Sequence, residues 1–179
     1  MDYLKILHEN PDLADEFDSL FDFFLLDELS PRDDAEGRCT FSLPGMAFAR
    51  DGSGGEYHLL EDGSIGYYSS EGEAGRLAES MDDLFSLIVS CICWHDCCDA
   101  KQYVDSKTLE EYGQRQRNTN LEDMDSLRRV SDALGIPTGE PLAPVLERFR
   151  KAIQREPVYQ CIFHEDDGSL TESYGLMFE

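Results

Sequence analysis

The apolar positions change period several times along the chain. Asn10-Pro11-Asp12 reads as a helix start, with Asn10 as cap, Pro11 at the first helical position and early carboxylates at the positive end of the dipole. Leu13, Phe17, Leu20, Phe21, Phe24 and Leu29 follow at helical spacing, while Asp15, Asp18 and Asp22 lie off the stripe. This predicts an amphipathic helix with a greasy inner face and an acidic outer one. Ser30 to Pro44 reads as loop. Short strands are then expected at Met46–Arg50, Glu56–Leu60 and Ser64–Ser69. Asp51-Gly52-Ser53-Gly54-Gly55 joins the first two and Glu61-Asp62-Gly63 the next two; Asp-Gly between such runs is a hairpin signal. Arg76–Glu79 fits a further short strand.

Ser80, with Asp83 three residues on, has the spacing of a capping box. Leu84, Phe85, Leu87, Ile88 and Cys91 give that helix its apolar side. Ala100–Thr119 is polar and poorly periodic. A helix from Asn120 to Gly135 rests on Met124, Leu127, Val130 and Leu134, closed by Gly135 and Pro137. Another runs from Pro141 to Arg155 on Leu142, Val145, Leu146, Phe149 and Ile153, with Arg148, Arg150, Lys151 and Arg155 outside. A last hairpin is expected from Val158–His164, a turn at Asp166-Asp167-Gly168, and Leu170–Phe178. No internal repeat or low-complexity tract interrupts the pattern.

A length of 179 residues predicts one domain with a real core, and the 41% hydrophobic content excludes wholesale disorder. The charge changes the picture. With 15 basic and 38 acidic residues the net charge is −23. Such a field repels nucleic acid and anionic membranes and attracts basic proteins. It is lopsided: residues 1–100 carry 5 basic and 23 acidic groups, and residues 101–179 carry 10 and 15. The N-terminus lacks the basic head and apolar run of a signal peptide, and no run approaches a membrane span. A cytoplasmic chain with six reduced cysteines is therefore expected.

Candidate chemistry is sparse. Cys91, Cys93, His95, Cys97 and Cys98 offer zinc-type ligands, but zinc sites usually take two separated pairs, and Cys91 continues a core stripe. No metal and no cofactor is expected. The Asp51–Gly55 loop lacks the lysine and following helix of a phosphate loop, so a hairpin connection is the simpler reading. Paired carboxylates (Glu61/Asp62, Glu71/Glu73, Asp166/Asp167) follow from composition and stand in no acid/base context. His8, His58, His95 and His164 join no nucleophile motif. No catalytic residue is assigned, and no enzyme is expected.

Taken in order, Phe48-Ala49, Asp51-Gly52-Ser53-Gly54-Gly55-Glu56-Tyr57, Asp62-Gly63-Ser64-Ile65, Glu71-Gly72-Glu73, Arg76-Leu77-Ala78-Glu79-Ser80 and Trp94-His95-Asp96-Cys97 resemble the SUKH superfamily. That group includes many bacterial immunity proteins and the yeast regulator of cell-wall glucan synthesis. The resemblance covers about Gly45 to Cys98; residues 100–179 show none. It implies an α+β fold, a twisted, largely antiparallel sheet flanked by helices, with no catalysis and no cofactor. It also implies a partner, since many relatives neutralise toxin domains, often nucleases, by direct binding. A nuclease holds phosphate in a basic groove, which an acidic surface complements. The leading expectation is an immunity protein that occludes a basic toxin domain. A non-enzymatic adaptor or regulator is the alternative, and a metal-dependent protein using the cysteine cluster a third. The candidate partner-binding residues are Asp51, Ser53, Gly54, Gly55, Glu56, Glu61, Asp62, Glu71 and Glu73, because they combine carboxylates with glycines that let a partner come close.

Overall fold

The structure, a computed structural model, describes residues 1–34 and 36–177. Two helices open the chain, α1 (Tyr3–Glu9) and α2 (Pro11–Phe21). Strands β1 (Phe24–Ser30), β2 (Cys39–Phe41), β3 (Gly45–Arg50), β4 (Glu56–Leu60), β5 (Ile65–Tyr68) and β6 (Glu73–Ala78) follow. Helix α3 (Met81–Cys91) leads through two short 3-10 turns into α4 (Ser106–Asn120), α5 (Met124–Leu134) and α6 (Leu142–Gln154). The chain returns as β7 (Cys161–His164), β8 (Leu170–Glu172) and β9 (Tyr174–Gly175).

The fold is α+β. Six strands form one sheet in the order β1-β3-β4-β5-β6-β9, antiparallel except for the β6·β9 pair. A small antiparallel sheet has the order β2-β7-β8. Strand alternation divides the large sheet's side chains between two environments. Phe48, Tyr57, Ile65, Tyr67 and Leu77 join the helices in one continuous core. Its aromatic centre packs Phe17, Tyr57 and Phe85 edge-on or tilted around Phe23, pairs that contribute about 0.5–1.5 kcal/mol each beyond area burial. On the other face Tyr68 and Ala74 pack with Cys39, Phe41, Cys161 and Phe163 of the small sheet.

The helix expected to run on toward Leu29 stops at Phe21. Asp22 turns left-handed (φ 52°, ψ 54°), and the next residues enter β1. Phe17 and Phe21 are buried on α2, but Phe24 and Leu29 are about half exposed on the strand, so their helical spacing is coincidental. The reading of Ser30–Pro44 as loop omits β2, and that of Ala100–Thr119 as irregular omits α4. The hairpin turns at Asp51–Gly55 and Glu61–Gly63 stand where expected, and Ser80 caps α3 by accepting from the Asp83 amide at 3.2 Å. The last hairpin is shorter than expected: β8 ends at Glu172, β9 leaves to pair in parallel with β6, and Phe178 lies outside the described residues.

Candidate functional site

Antiparallel order sends successive turns to opposite ends of the sheet. The β3–β4 loop and the β5–β6 loop share one end, where a Cβ on Gly54 would lie 3.8 Å from the Ser70 side chain. The β4–β5 turn stands at the other, about 15 Å away along five residues of β4. The nine candidate residues therefore divide. Asp51, Ser53, Gly54, Gly55, Glu56, Glu71 and Glu73 belong to the first end, Glu61 and Asp62 to the second.

Within the first group, burial separates contact residues from scaffold. Asp51, Gly55 and Glu56 are inside the protein, which takes them off the surface offered to a partner. Asp51 Oδ1 accepts from the Ser53 amide (3.0 Å), the Ser53 hydroxyl (2.7 Å) and the Gly55 amide (2.8 Å), tying the loop back on itself. Its Oδ2 accepts from the Tyr67 hydroxyl at 2.5 Å. Burial pushes the Asp51 carboxyl up, but these bonds outweigh it and hold the acid below its usual range. Only glycine fits at position 55: a Cβ would stand 2.2 Å from the Tyr67 oxygen.

Glu56 faces the other layer. Its Oε1 accepts from Arg50 (2.8 and 3.1 Å), and its Oε2 from the Asp33 amide (2.9 Å) and His58 Nε2 (3.1 Å). Burial would raise this carboxyl; the bonds from His58, the Asp33 amide and Arg50 win and lower it to about 2. Burial holds His58 below the ordinary histidine range against the pull of Glu56, so the ring is neutral at pH 7. Nε2–H then donates to Glu56, and Nδ1 accepts from the Tyr159 hydroxyl at 2.6 Å, whose oxygen accepts from Arg32 at 3.2 Å. Tyr159 can lie over the sheet because Gly66 has no side chain there; a Cβ would come within 2.6 Å of its ring. The relay is sealed: His58 is 0% exposed.

A parallel relay opens outward. His95 Nε2 lies 3.1 Å from the Tyr67 hydroxyl oxygen, so with the hydroxyl proton given to Asp51 the imidazole donates. Burial lowers the His95 pKa, opposed by Asp51, Asp22 and Asp96, yet its side chain is 41% exposed. The ring stacks on Trp94 at 3.7 Å and lines a hollow of about 210 Å³ with Leu20, Asp22, Ile92 and Asn120. A second hollow of about 220 Å³ shares Ser19, Leu20, Ile92 and Asn120 and adds Glu16, Glu122 and Asp123. Asp22 also fastens the hairpin loop, accepting from the Gly52 amide at 2.8 Å. Ser53, Gly54, Glu71 and this cleft thus belong to one acidic end of the molecule. Glu73 is half-buried, and burial together with nearby Glu71 raises its pKa. Composition and turn pattern point to the loops but not to Asp22, whose sequence position suggests helix surface, nor to Asn120, and they mark His95 only as a possible ligand.

At the second end Glu61 is exposed and Asp62 is engaged. Asp62 Oδ1 accepts from the Ser64 amide (3.0 Å) and hydroxyl (2.5 Å), while Oδ2 meets Arg155 at 2.8 Å and buried Arg76 at 3.4 Å. Arg155 also pairs with Glu79. This carboxylate fixes the α6–β7 connection to the sheet.

The cysteines are all free thiols. Cys91 and Cys97 are fully buried; contact with the Cys97 thiol and then burial push Cys91 up, and burial pushes up Cys93. Raised thiols are poor nucleophiles. Among the described residues no set of three or more His, Cys, Asp or Glu side chains is placed to hold a metal ion. None of their buried side-chain nitrogens or oxygens lacks a partner, and no helix is long and apolar enough to cross a membrane. Compared with protein-family models, with curated proteins and with solved structures, the chain matches none.

Proposed function

We propose that this is a SUKH-type immunity protein, which neutralises a basic toxin domain, a nuclease in the leading version, by stoichiometric occlusion. The observation that carries the reading is the gathering of exposed acidic groups at one end of a rigid sheet: Glu71 on the β5–β6 loop, Asp22 beside the hairpin loop, and Glu122 and Asp123 at the cleft. Loops held by internal bonds, such as the one around Asp51, lose little entropy when they meet a partner. Carboxylates around a cleft complement the cationic groove with which a nuclease holds phosphate. Ser53, Gly54, Glu71 and Glu73 remain the contact candidates from the loops; Asp51, Gly55 and Glu56 support them from inside. The protein acts as a binder in the cytoplasm, without turnover, cofactor or metal.

The test is titration of a toxin domain from the same source with this protein. The reading expects loss of toxin activity at one equivalent. Association should slow as salt rises, since screening acts over ~8 Å at physiological ionic strength. The double variant Glu71→Lys/Glu122→Lys should bind at least tenfold more weakly, while Glu61→Lys at the other end stays within threefold. Inactivation of excess toxin by a sub-stoichiometric amount would mean turnover and would overturn occlusion.

A further inference from the structure

The part of the sheet's helical face nearest β1 is left uncovered. Two hollows of about 280 and 420 Å³ join there into one furrow, sharing Leu29 and Leu59. Helix α1 forms one wall through Leu4 and His8. The strand supplies the opposite side by an irregularity: Leu25 pairs with Ala49 and Ser30 with Ala47, so five residues of β1 span two of β3. The bulged segment sets Leu26 and Leu29 along the furrow, with Met46 beside them. Leu29 is 49% and Met46 37% exposed, large apolar groups left in water side by side.

We infer that this furrow docks an amphipathic helix of a partner protein, with its apolar side inward and lysine or arginine along its flanks. The inference goes beyond the function proposed above and stands on different residues. Three observations select the occupant. The floor is apolar and lies beside α1 on the face that helices already cover, so one more helix would complete that layer. The bulge denies a regular row of backbone groups to an added strand, which argues against sheet extension. The acidic rim, Glu28 and Glu61, lies on a chain of charge −23 and favours a cationic flank. Glu28 and Glu61 carry the preference, and His8 is the ionisable group that the α1 wall adds. A second copy of this chain fits poorly. Two furrows meeting across a two-fold axis would set these acidic rims against each other.

A synthetic 14-residue peptide of leucine and lysine, ordered so that its leucines fall on one helical face, serves as the probe, and a scrambled peptide of equal composition is its control. Binding to the full chain is followed by fluorescence anisotropy. The patterned peptide should bind at least tenfold more tightly than the scrambled one. Leu29→Lys/Met46→Lys should weaken it at least tenfold while far-UV circular dichroism and the urea midpoint stay close to the parent. Glu28→Gln/Glu61→Gln should weaken it by a smaller factor that shrinks with salt. Equal binding of the two peptides, no binding, or unchanged binding to Leu29→Lys/Met46→Lys would overturn the inference. So would a parent chain that is dimeric and becomes monomeric with that variant, because the occupant would then be a second copy.

Discussion

Two carboxylate, tyrosine and histidine relays lie on opposite faces of the same sheet. In one, Glu56, His58 and Tyr159 are sealed beneath the returning chain with His58 fully buried; in the other, Asp51, Tyr67 and His95 end in a ring that is 41% exposed at a cleft. The ingredients are alike, and the covering layer makes the difference. The first relay joins the sheet to the C-terminal segment. The second ties a surface loop to the cleft wall. An acidic residue in a glycine-rich turn is therefore no contact residue by default: the backbone decides whether it meets a partner or its own amides.

The largest effect should come from breaking the sealed relay. Glu56→Ala leaves Arg50, His58 and the Asp33 amide without their shared acceptor. A loss of about 2–4 kcal/mol is expected, because the buried His58 N–H and the Asp33 amide lose their acceptor while Arg50, half exposed, can turn to water. Urea denaturation measures it; a change below 1 kcal/mol would show that the network is incidental. Gly55→Ala comes next, because its Cβ would collide with Tyr67 and Asp51. A cost of about 1–3 kcal/mol is expected from such overpacking. Tyr67→Phe in the Gly55→Ala background should recover part of it by removing the oxygen in the way, and no recovery would contradict the clash.

A smaller effect is pH dependence, and the two relays act in the same direction. Both histidines are held below their ordinary 6.5, so the unfolded chain binds protons first and stability should fall as pH drops from 6.5 toward their folded values. Glu56 titrates lower: its contribution is complete above its ordinary 4.5 and is lost as pH falls toward about 2. Asp18 and Glu73 are raised, the first by burial and then Asp22, and oppose this trend at acid pH. Urea midpoints at pH 7.5 and 5.5 isolate the histidine step; equal midpoints would contradict it.

Much of the sheet is legible in the sequence because local chemistry fixes it. Asp-Gly turns and alternating residues mark β3 to β5, and Ser80 with Asp83 marks the start of α3. Three elements fail for physical reasons. The α2 stripe runs by coincidence into β1, and the break is a left-handed aspartate, a conformation that a non-glycine residue adopts seldom. Helix α4 is mostly polar and is held by few buried groups, among them Leu109 and Tyr112, so its periodicity is faint. Its cap, Asp105 accepting from the Lys107 and Thr108 amides, was the available signal. Strand β2 has three residues and exists because β7, more than a hundred residues later, returns to pair with it. The site divides in the same way. The loops are local and legible, whereas the burial of Asp51 and Glu56 depends on Tyr67, Asp33 and Tyr159 arriving from elsewhere.

In the function we propose, the acidic hairpin end covers the toxin. Hydrogen–deuterium exchange of the protein alone and in its toxin complex tests it most directly. Exchange should slow at residues 52–54, 69–73, 92–96 and 120–123, with residues 61–63 and 165–172 unchanged. Slowing confined to residues 61–63 and 165–172, with the hairpin end unaffected, would contradict it.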